Sequence, residues 1–549
     1  MPEDLIETDQ RFTTNAAASQ VLCDPLPASR GLDPNLQEKT PSTTYSYYAL
    51  FVLVLVGVLN SADRTILSVL VEAIKADFQV TNAQIAFLYG TVFVTFYTVV
   101  GLPIARLADR IARPKLLGAG LVIWSGLTAL SGLANSFAAL SLARFGVGIG
   151  EATANPCAHS LICDYFPRRR RGLVLGAYLA GMALGGGLAA MVGGRMLNYW
   201  PEVCSQYNLC SVSPWQATFL IVGIPGLLVA MMVATLREPV RGAVDGAPMF
   251  PPKMGHWRAL FRDLMTVLPV LSTIQLWREC GRRVAIRNLL VVSVVATPFA
   301  LLAYATGDIM QWGAILVALV AILGWSERQN VVDPGLIKLT FLTPAFTLAL
   351  GGFAIIGCIM GATHFWMIPY AIRTFEVSPQ TAGLVIGPII VISSIVGVLA
   401  GGALADAWRA RDPRGYAWTA IAMLILLSCM LVLMLNVSSF KAYTISLSIF
   451  YAASLGWSGA AAAYAQDLVL PRMRATTSAL FALCITLVTM ATGPYFAGKV
   501  ADVGGNLADG LLALLALAPI AIVLLWMAGQ RYSKAIESKD LRAAQAETA

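Results

Sequence analysis

Charge is what this chain has least of. Of its 549 residues only 12% are Asp, Glu, Lys or Arg, whereas 57% are hydrophobic and the mean hydropathy is +0.71. Soluble domains carry about 25% charged residues, so the shortage excludes a solvated globular domain and points to an integral membrane protein. Histidine is scarcer still, at 3 residues. The sequence has no H-E-x-x-H run to hold zinc, no G-x-S-x-G turn to present a nucleophilic serine, and no G-x-x-x-x-G-K-[ST] loop to cradle a nucleotide phosphate. The 9 cysteines follow no metal-ligand spacing, so neither a metal nor a cofactor is expected. Cys157, Cys163, Cys358, Cys429 and Cys484 fall in apolar runs and read as small core residues. Cys204 and Cys210 share one loop, expected outside, where they are either joined as a disulfide or free. The net charge of +8 does not indicate nucleic acid, because the basic residues form short clusters between apolar runs. Residues 1–42 are polar, rich in Pro, Ser and Thr, and lack the apolar core of a signal peptide; they read as a disordered cytoplasmic tail.

What is present is a succession of apolar runs, each near the roughly 20 residues that a spanning helix needs. They cover 46–70, 83–105, 116–134, 137–163, 173–197 and 214–236, then 287–306 and 309–325, then 342–370, 380–405, 416–436, 440–465, 475–499 and 508–530. With the N-terminus inside, the basic clusters 106–115, 168–171, 237–262, 409–414, 472–474 and 531–534 all fall on the cytoplasmic side, and the outer loops hold chiefly Lys75, Arg373 and Lys441. The reading is an all-α, multi-pass plasma-membrane protein with both termini cytoplasmic. It divides into a tail (1–42), a six-helix bundle (43–236), a linker with two extra helices (237–340), a second six-helix bundle (341–532) and a tail (533–549). Counting the middle pair gives 14 spans; the alternative is a pair that does not cross, leaving 12. Within the linker, 257–287 is basic and amphipathic, with Trp257, Arg258, Arg262, Trp277, Arg278, Arg282, Arg283 and Arg287, and reads as a helix lying on the inner surface.

The two halves share a signature. "ARLADRIARPK" (105–115) follows the second helix of the first six, and "GALADAWRARDPR" (402–414) follows the second of the last six. Aligning Asp109 with Asp406 also aligns Leu107 with Leu404 and Ala108 with Ala405, as expected of a transporter built from parallel repeats. On these residues the chain resembles the major facilitator superfamily, matching that family's loop motif at Asp109, Arg110 and Arg113, and in the second copy at Gly402 and Asp406. The resemblance implies a fold of two six-helix bundles, to which the middle pair would be an addition. It also implies that this loop is a conformational gate, with Gln466 and Asp467 as further candidates where the tenth helix meets the inner loop. "NSADRTILSVL" (60–70), "LARFGVGIGEATANP" (142–156), "AQDLVLPRMRATTSALF" (465–481) and "HFWMIPYAIRTFEVSPQTAGLVIG" (364–387) resemble the Spinster-like branch, whose eukaryotic members export lysophospholipid- or sphingosine-phosphate-type lipids.

Charges inside apolar runs mark the candidate site, since a buried charge costs about 2.5–3.5 kcal/mol even on insertion scales. Arg144 and Glu151 lie seven residues apart, on one helix face but two turns distant, so each needs a partner elsewhere. Depth places Asp63 level with Arg144 as its partner, and Arg64 reaches Glu151, reaches the cavity or snorkels outward. The resemblance assigns Asp63, Arg64, Arg144 and Glu151 to substrate transport and proton coupling; the alternative is a static ion-pair network. Candidate cavity residues are His159, His364, Trp366, Tyr370, Tyr451, Trp457 and Tyr464, with packing as the other reading of each aromatic. "GMALGGGLAAMVGG" (181–194) reads as a close-packing stripe. The function expected is proton-coupled secondary transport of an amphipathic or anionic organic solute by alternating access, by a monomer whose partners are the solute, protons and the bilayer. The alternative is a proton symporter for a small organic or sugar acid. A polytopic enzyme or a non-transporting sensor fits less well.

Overall fold

The computed structural model describes residues 42–207, 210–245 and 256–547, so the expected N-terminal tail lies outside the described residues. The first half contains α1 (Thr43–Phe78), α2 (Asn82–Ala108), α3 (Arg113–Ser131), α4 (Phe137–Glu151), α5 (Ala154–Tyr165), α6 (Arg168–Tyr207) and α7 (Pro214–Ala234). An insert follows: α8 (His256–Val267), α9 (Leu271–Cys280), α10 (Arg282–Thr306), α11 (Ile309–Val332) and the short α12 (Pro334–Leu339). The second half contains α13 (Pro344–Phe375), α14 (Pro379–Arg409), α15 (Gly415–Asn436), α16 (Phe440–Asp467), α17 (Thr476–Gly504) and α18 (Leu507–Glu537), closed by α19 (Lys539–Glu547). Among the described residues 12 helices are long and apolar enough to cross a membrane, α10 and α11 among them. That set omits α3, whose first turn carries Arg113 and Lys115, and the broken pair α4–α5, although both pack inside the first bundle. We call the face carrying Thr43 and α19 the terminal face, and the other the opposite face.

Several boundaries differ from expectation for visible reasons. The run 137–163 is two helices, because Pro156 has no N–H to offer the carbonyl of Ala152 and its ring crowds that carbonyl. The break falls immediately after Glu151. The stretch 257–287 is not one surface helix: a tight turn at Pro269–Val270 separates α8 from α9, and Gly281 at φ 90° ends α9. α11 runs past Trp325 to Val332, because Glu327 and Arg328 find ionic partners and let the helix continue. The C-terminal tail is helical and docked, with Arg542 donating to Thr343 Oγ1 at 2.6 Å and to the carbonyl of Ala535 at 2.8 Å. Cys204 and Cys210 form a disulfide.

The halves meet tightly at the opposite face. Small residues of α6 allow it: a Cβ on Gly187 would sit 2.6 Å from the carbonyl oxygen of Gly387 on α14, and one on Gly194 would sit 2.3 Å from that of Pro379. Arg373 on α13 pairs with Glu72 on α1 at 2.7 Å, and Asp502 on α17 accepts from the backbone N–H groups of Asn82 and Ala83 at 2.9 and 2.8 Å. At the terminal face the corresponding surfaces stand apart: a Cβ added at Gly172 or Gly176 of α6, Gly402 of α14 or Gly459 of α16 would meet no atom within 4 Å. This is a form closed at the opposite face and splayed at the terminal face.

One contact between halves is closer than the rest. Residues Phe87–Val92 of α2 form a π-helical turn, and α17 is broken at Thr492, two residues before Pro494. Pro494 withholds the N–H that Met490's carbonyl would otherwise accept, and Gly90 packs straight onto that carbonyl. A Cβ at position 90 would lie 1.7 Å from Met490 O. Gly90→Ala is therefore expected to abolish the opposite-face-closed form, read as loss of transport with the protein still inserted in the membrane. Normal transport by this variant would show that the halves do not approach so closely here.

Candidate functional site

The charged residues of the first half resolve into two pairs with different surroundings. Asp63 and Arg144 are sealed between α1, α3 and α4, with Nη1 of Arg144 3.7 Å from Oδ1 of Asp63. Thr128 Oγ1 lies 2.7 Å from both carboxylate oxygens, Ser131 accepts from Arg144 Nη2 at 3.1 Å, and the guanidinium lies 4.7 Å over the ring of Phe219. Asp63 and Arg144 thus brace three helices and are cut off from any chamber. The α3 hydroxyls carry no sequence signal that distinguishes them from ordinary helical Ser and Thr.

The second pair is partly open, through Arg64. Glu151, at the end of α4, accepts from Arg64 Nε at 2.9 Å and from Asn60 Nδ2 at 2.7 Å, both through Oε2. Glu151 is buried, but the Arg64 side chain is 21% exposed and stacks over Phe93 at 4.9 Å and Tyr97 at 5.4 Å. Oε1 of Glu151, Nη2 of Arg64 and Oδ1 of Asn60 have no hydrogen-bond partner in the structure. An ion pair with one donor and two acceptors left over can take on another polar group, or a proton, without first breaking a saturated network. Asn60, one turn before Arg64, belongs to this set although it carries no charge to mark it; its polarity within an apolar run was the available signal.

A polar line leads from this pair toward the terminal face. Asn155 donates to Tyr97 Oη at 3.4 Å and accepts from Tyr178 Oη at 3.1 Å. The ring of His159 stands edge-on to Tyr178 at 5.3 Å and is exposed. In the second half, His364 hydrogen-bonds Ser454 Oγ at 2.9 Å and stacks flat on Tyr451 at 4.1 Å.

The other aromatic candidates do not line a chamber. Trp366 is fully buried and donates to the carbonyl of Pro494 at 2.9 Å; Tyr370 donates to that of Leu435 at 3.2 Å; Tyr464 donates to those of Ala345 and Ala528. Trp457 stacks on Phe353 inside the second bundle. The polar groups of Trp366, Tyr370 and Tyr464 satisfy backbone carbonyls that helix packing would otherwise strand, which is a packing role, whereas the Trp457 indole N–H is buried without a partner.

The loop signature also differs from expectation. Asp109 is 81% exposed at its side chain, 4.0 Å from Arg241, and it is the backbone carbonyls of Ala108, Asp109 and Ile111 that accept from Arg241. Arg110 is half-buried beside it. Arg113 is the buried centre, bonded to Asp164 at 2.5 Å, Glu238 at 2.8 Å and Ser160 at 2.6 Å. All its partners belong to the first half or the segment just after it. In the second copy Asp406 is exposed like Asp109, and Ala407 stands where the first copy has Arg110. Gln466 is half-buried, and Asp467 accepts from Tyr532 Oη at 2.7 Å, anchoring α16 to α18.

Two parallel six-helix units, joined by a linker, closed against each other at one face and holding ion pairs buried within the first, define a two-bundle membrane transporter. A family model described as Major Facilitator Superfamily matches residues 53–494, and the chain belongs to that superfamily. It is 27% identical over 499 residues, 89% of this chain and 94% of the other, to an MFS-type efflux pump of Mycolicibacterium smegmatis. It is 28% identical to a probable L-galactonate transporter of Escherichia coli, over 48% of this chain and 56% of that protein. Protein spinster of Drosophila melanogaster is 27% identical over 37% of this chain and 31% of that protein. In fold it matches the inward-facing, unoccupied crystal structure of a bacterial homologue of the human lysosomal transporter Spinster, with TM-score 0.64, 23% identity and coverage of 90% of this chain and 99% of the other. The chain is a multi-pass membrane transporter, not an enzyme.

Proposed function

We propose that this protein is a proton-coupled secondary transporter of an amphipathic or anionic organic solute, in the plasma membrane, with its terminal face cytoplasmic. The orientation rests on the basic clusters, which collect at that face. The observation that carries the coupling is the half-satisfied pair of Arg64 and Glu151, the first partly exposed and the second buried. While Glu151 is ionised it occupies the guanidinium of Arg64. A proton on Glu151 weakens that hold and releases Arg64 to pair with an anionic solute. Proton and solute thereby favour the same state, and relative movement of α1 and α4 follows. Asp63 and Arg144 are braces that keep Arg64 aimed at the chamber.

A smaller cargo, an organic or sugar acid, is the second reading. It is favoured by the line Tyr97–Asn155–Tyr178, whose hydroxyl and amide groups suit a hydroxylated solute better than an acyl chain.

The test is uptake into proteoliposomes under an imposed pH gradient. Glu151→Gln is expected to keep exchange of bound solute but lose gradient-driven accumulation, by about tenfold or more. Accumulation equal to wild type would remove Glu151 as the coupling acid.

A further inference from the structure

We propose that α8, α9 and the first turn of α10 form a binding surface for anionic phospholipid headgroups in the leaflet at the terminal face. The basic side chains there are unspent. Arg262, Arg278, Arg282 and Arg283 are exposed, and none is in a salt bridge among the described residues, although Arg262 lies within the electrostatic reach of Glu279. The acids around them are committed elsewhere: Asp263 to Arg106 and Arg328, Glu279 to Arg328, and Glu327 to Arg287. Four exposed guanidiniums outside any salt bridge therefore present their charge outward from one small platform.

Apolar groups on the same elements identify the occupant as lipid. Phe261, Val270 and Trp277 are 66%, 72% and 61% exposed. Val270 caps the turn between α8 and α9 at φ 68°, with the Leu271 N–H donating to the carbonyl of Pro269 at 2.8 Å. A β-branched residue is strained in that region, and here the strain holds an apolar side chain away from the protein. The platform then continues into α10, whose most apolar 18-residue window is 0% buried against protein. Guanidiniums at the start of a lipid-facing helix, flanked by exposed Phe and Trp, match the level where phosphate and acyl chain meet. An acidic soluble protein would satisfy the arginines but leave those side chains in water.

The purified full-length chain, in detergent, is offered phosphatidylglycerol and phosphatidylcholine in equal amounts, and retained lipid is counted by native mass spectrometry. The wild type is expected to retain phosphatidylglycerol in preference, about tenfold, and R278Q/R282Q/R283Q to bring that ratio near unity. Should the triple variant misfold, salt serves instead: raising NaCl toward 1 M shortens the screening length to about 3 Å and should erase the wild-type preference. Phe261→Ala with Trp277→Ala should lower retention of both lipids and leave the ratio unchanged. Equal retention of the two lipids by the wild type, or a preference untouched by salt and by the arginine substitutions, would overturn the proposal. So would capture of soluble polyglutamate with no lipid preference.

Discussion

Replacing Arg113 with alanine is expected to destabilise the protein by about 3–5 kcal/mol, the range for removing one partner from a buried ionic cluster. Arg113 is 1% exposed and joins α3 to two acids, Asp164 on α5 and Glu238 beyond α7. Its backbone N–H also donates to Glu238 at 2.8 Å, so the acid caps the start of α3 as well as pairing the side chain. Without the guanidinium, among the described residues Asp164 keeps the Gly242 N–H at 3.0 Å, and Glu238 keeps that backbone bond and Arg241 at 3.5 Å. Two carboxylates would face one another at the end of the first bundle. The measurement is the melting temperature of the detergent-solubilised protein. Arg113→Lys should recover only part of the loss, since an ammonium cannot reach two carboxylates and a hydroxyl from one planar fork. A melting temperature unchanged in Arg113→Ala would show that the cluster is not a brace.

The second large effect concerns the insert. α11 crosses the seam between the halves. Near its start Gln311 accepts from Thr91 of α2 at 2.7 Å and donates to the Ala491 carbonyl of α17 at 2.7 Å, and Asp308 is bonded to Lys499 at 2.6 Å and Tyr495 at 2.5 Å of α17. Near its end Arg328 meets Asp263, which also holds Arg106 of α2 at 2.9 Å. The helix is thus fastened to both halves toward the opposite face and to the first half toward the terminal face. Opening the opposite face must pull Gln311 from one of its partners. Asp308→Asn with Gln311→Leu is expected to shift the equilibrium toward opposite-face opening by about tenfold, from roughly 1 kcal/mol for the buried hydrogen bonds and less for the partly exposed ion pair. Distances between spin labels at Asn135→Cys and Ser438→Cys would read it, as growth of a longer population. An unaltered distance distribution would mean that the insert merely rides on the bundle. Burial pulls the Asp308 carboxyl upward, but hydrogen bonds from Lys499 and Tyr495 outweigh it and hold the group below its ordinary 3.8. A carboxylate held low keeps its tie above that value and loses it only as pH falls through its lowered one, so neutral pH changes should not mimic the double variant.

Much of the architecture is legible from hydropathy alone because lipid forces every spanning backbone group to bond within its own helix, leaving long apolar runs as the signal. What hydropathy missed were interruptions. The break after Glu151 depended on Pro156, and the π-turn at Phe87–Val92 falls where Gly90 packs against α17, a contact that no local pattern reveals. The candidate site was partly legible for the same reason of cost: Asp63, Arg64, Arg144 and Glu151 stand out because charge is scarce in those runs. Their neighbours Asn60, Thr128 and Ser131 do not, and Trp366 and Tyr464 stand out by type although packing absorbs them.

By itself the sequence determined that this is a membrane protein of two repeated helical units with ionisable groups held in the apolar layer, since length, apolarity and the expense of buried charge are properties of single residues and runs. Only the tertiary structure decided which charge meets which. It sealed Asp63 with Arg144, joined a partly exposed Arg64 to a buried Glu151, and laid α11 across both halves. Those choices depend on how helices distant in sequence are rotated and tilted against one another, and rotation by one residue turns a side chain about 100° away.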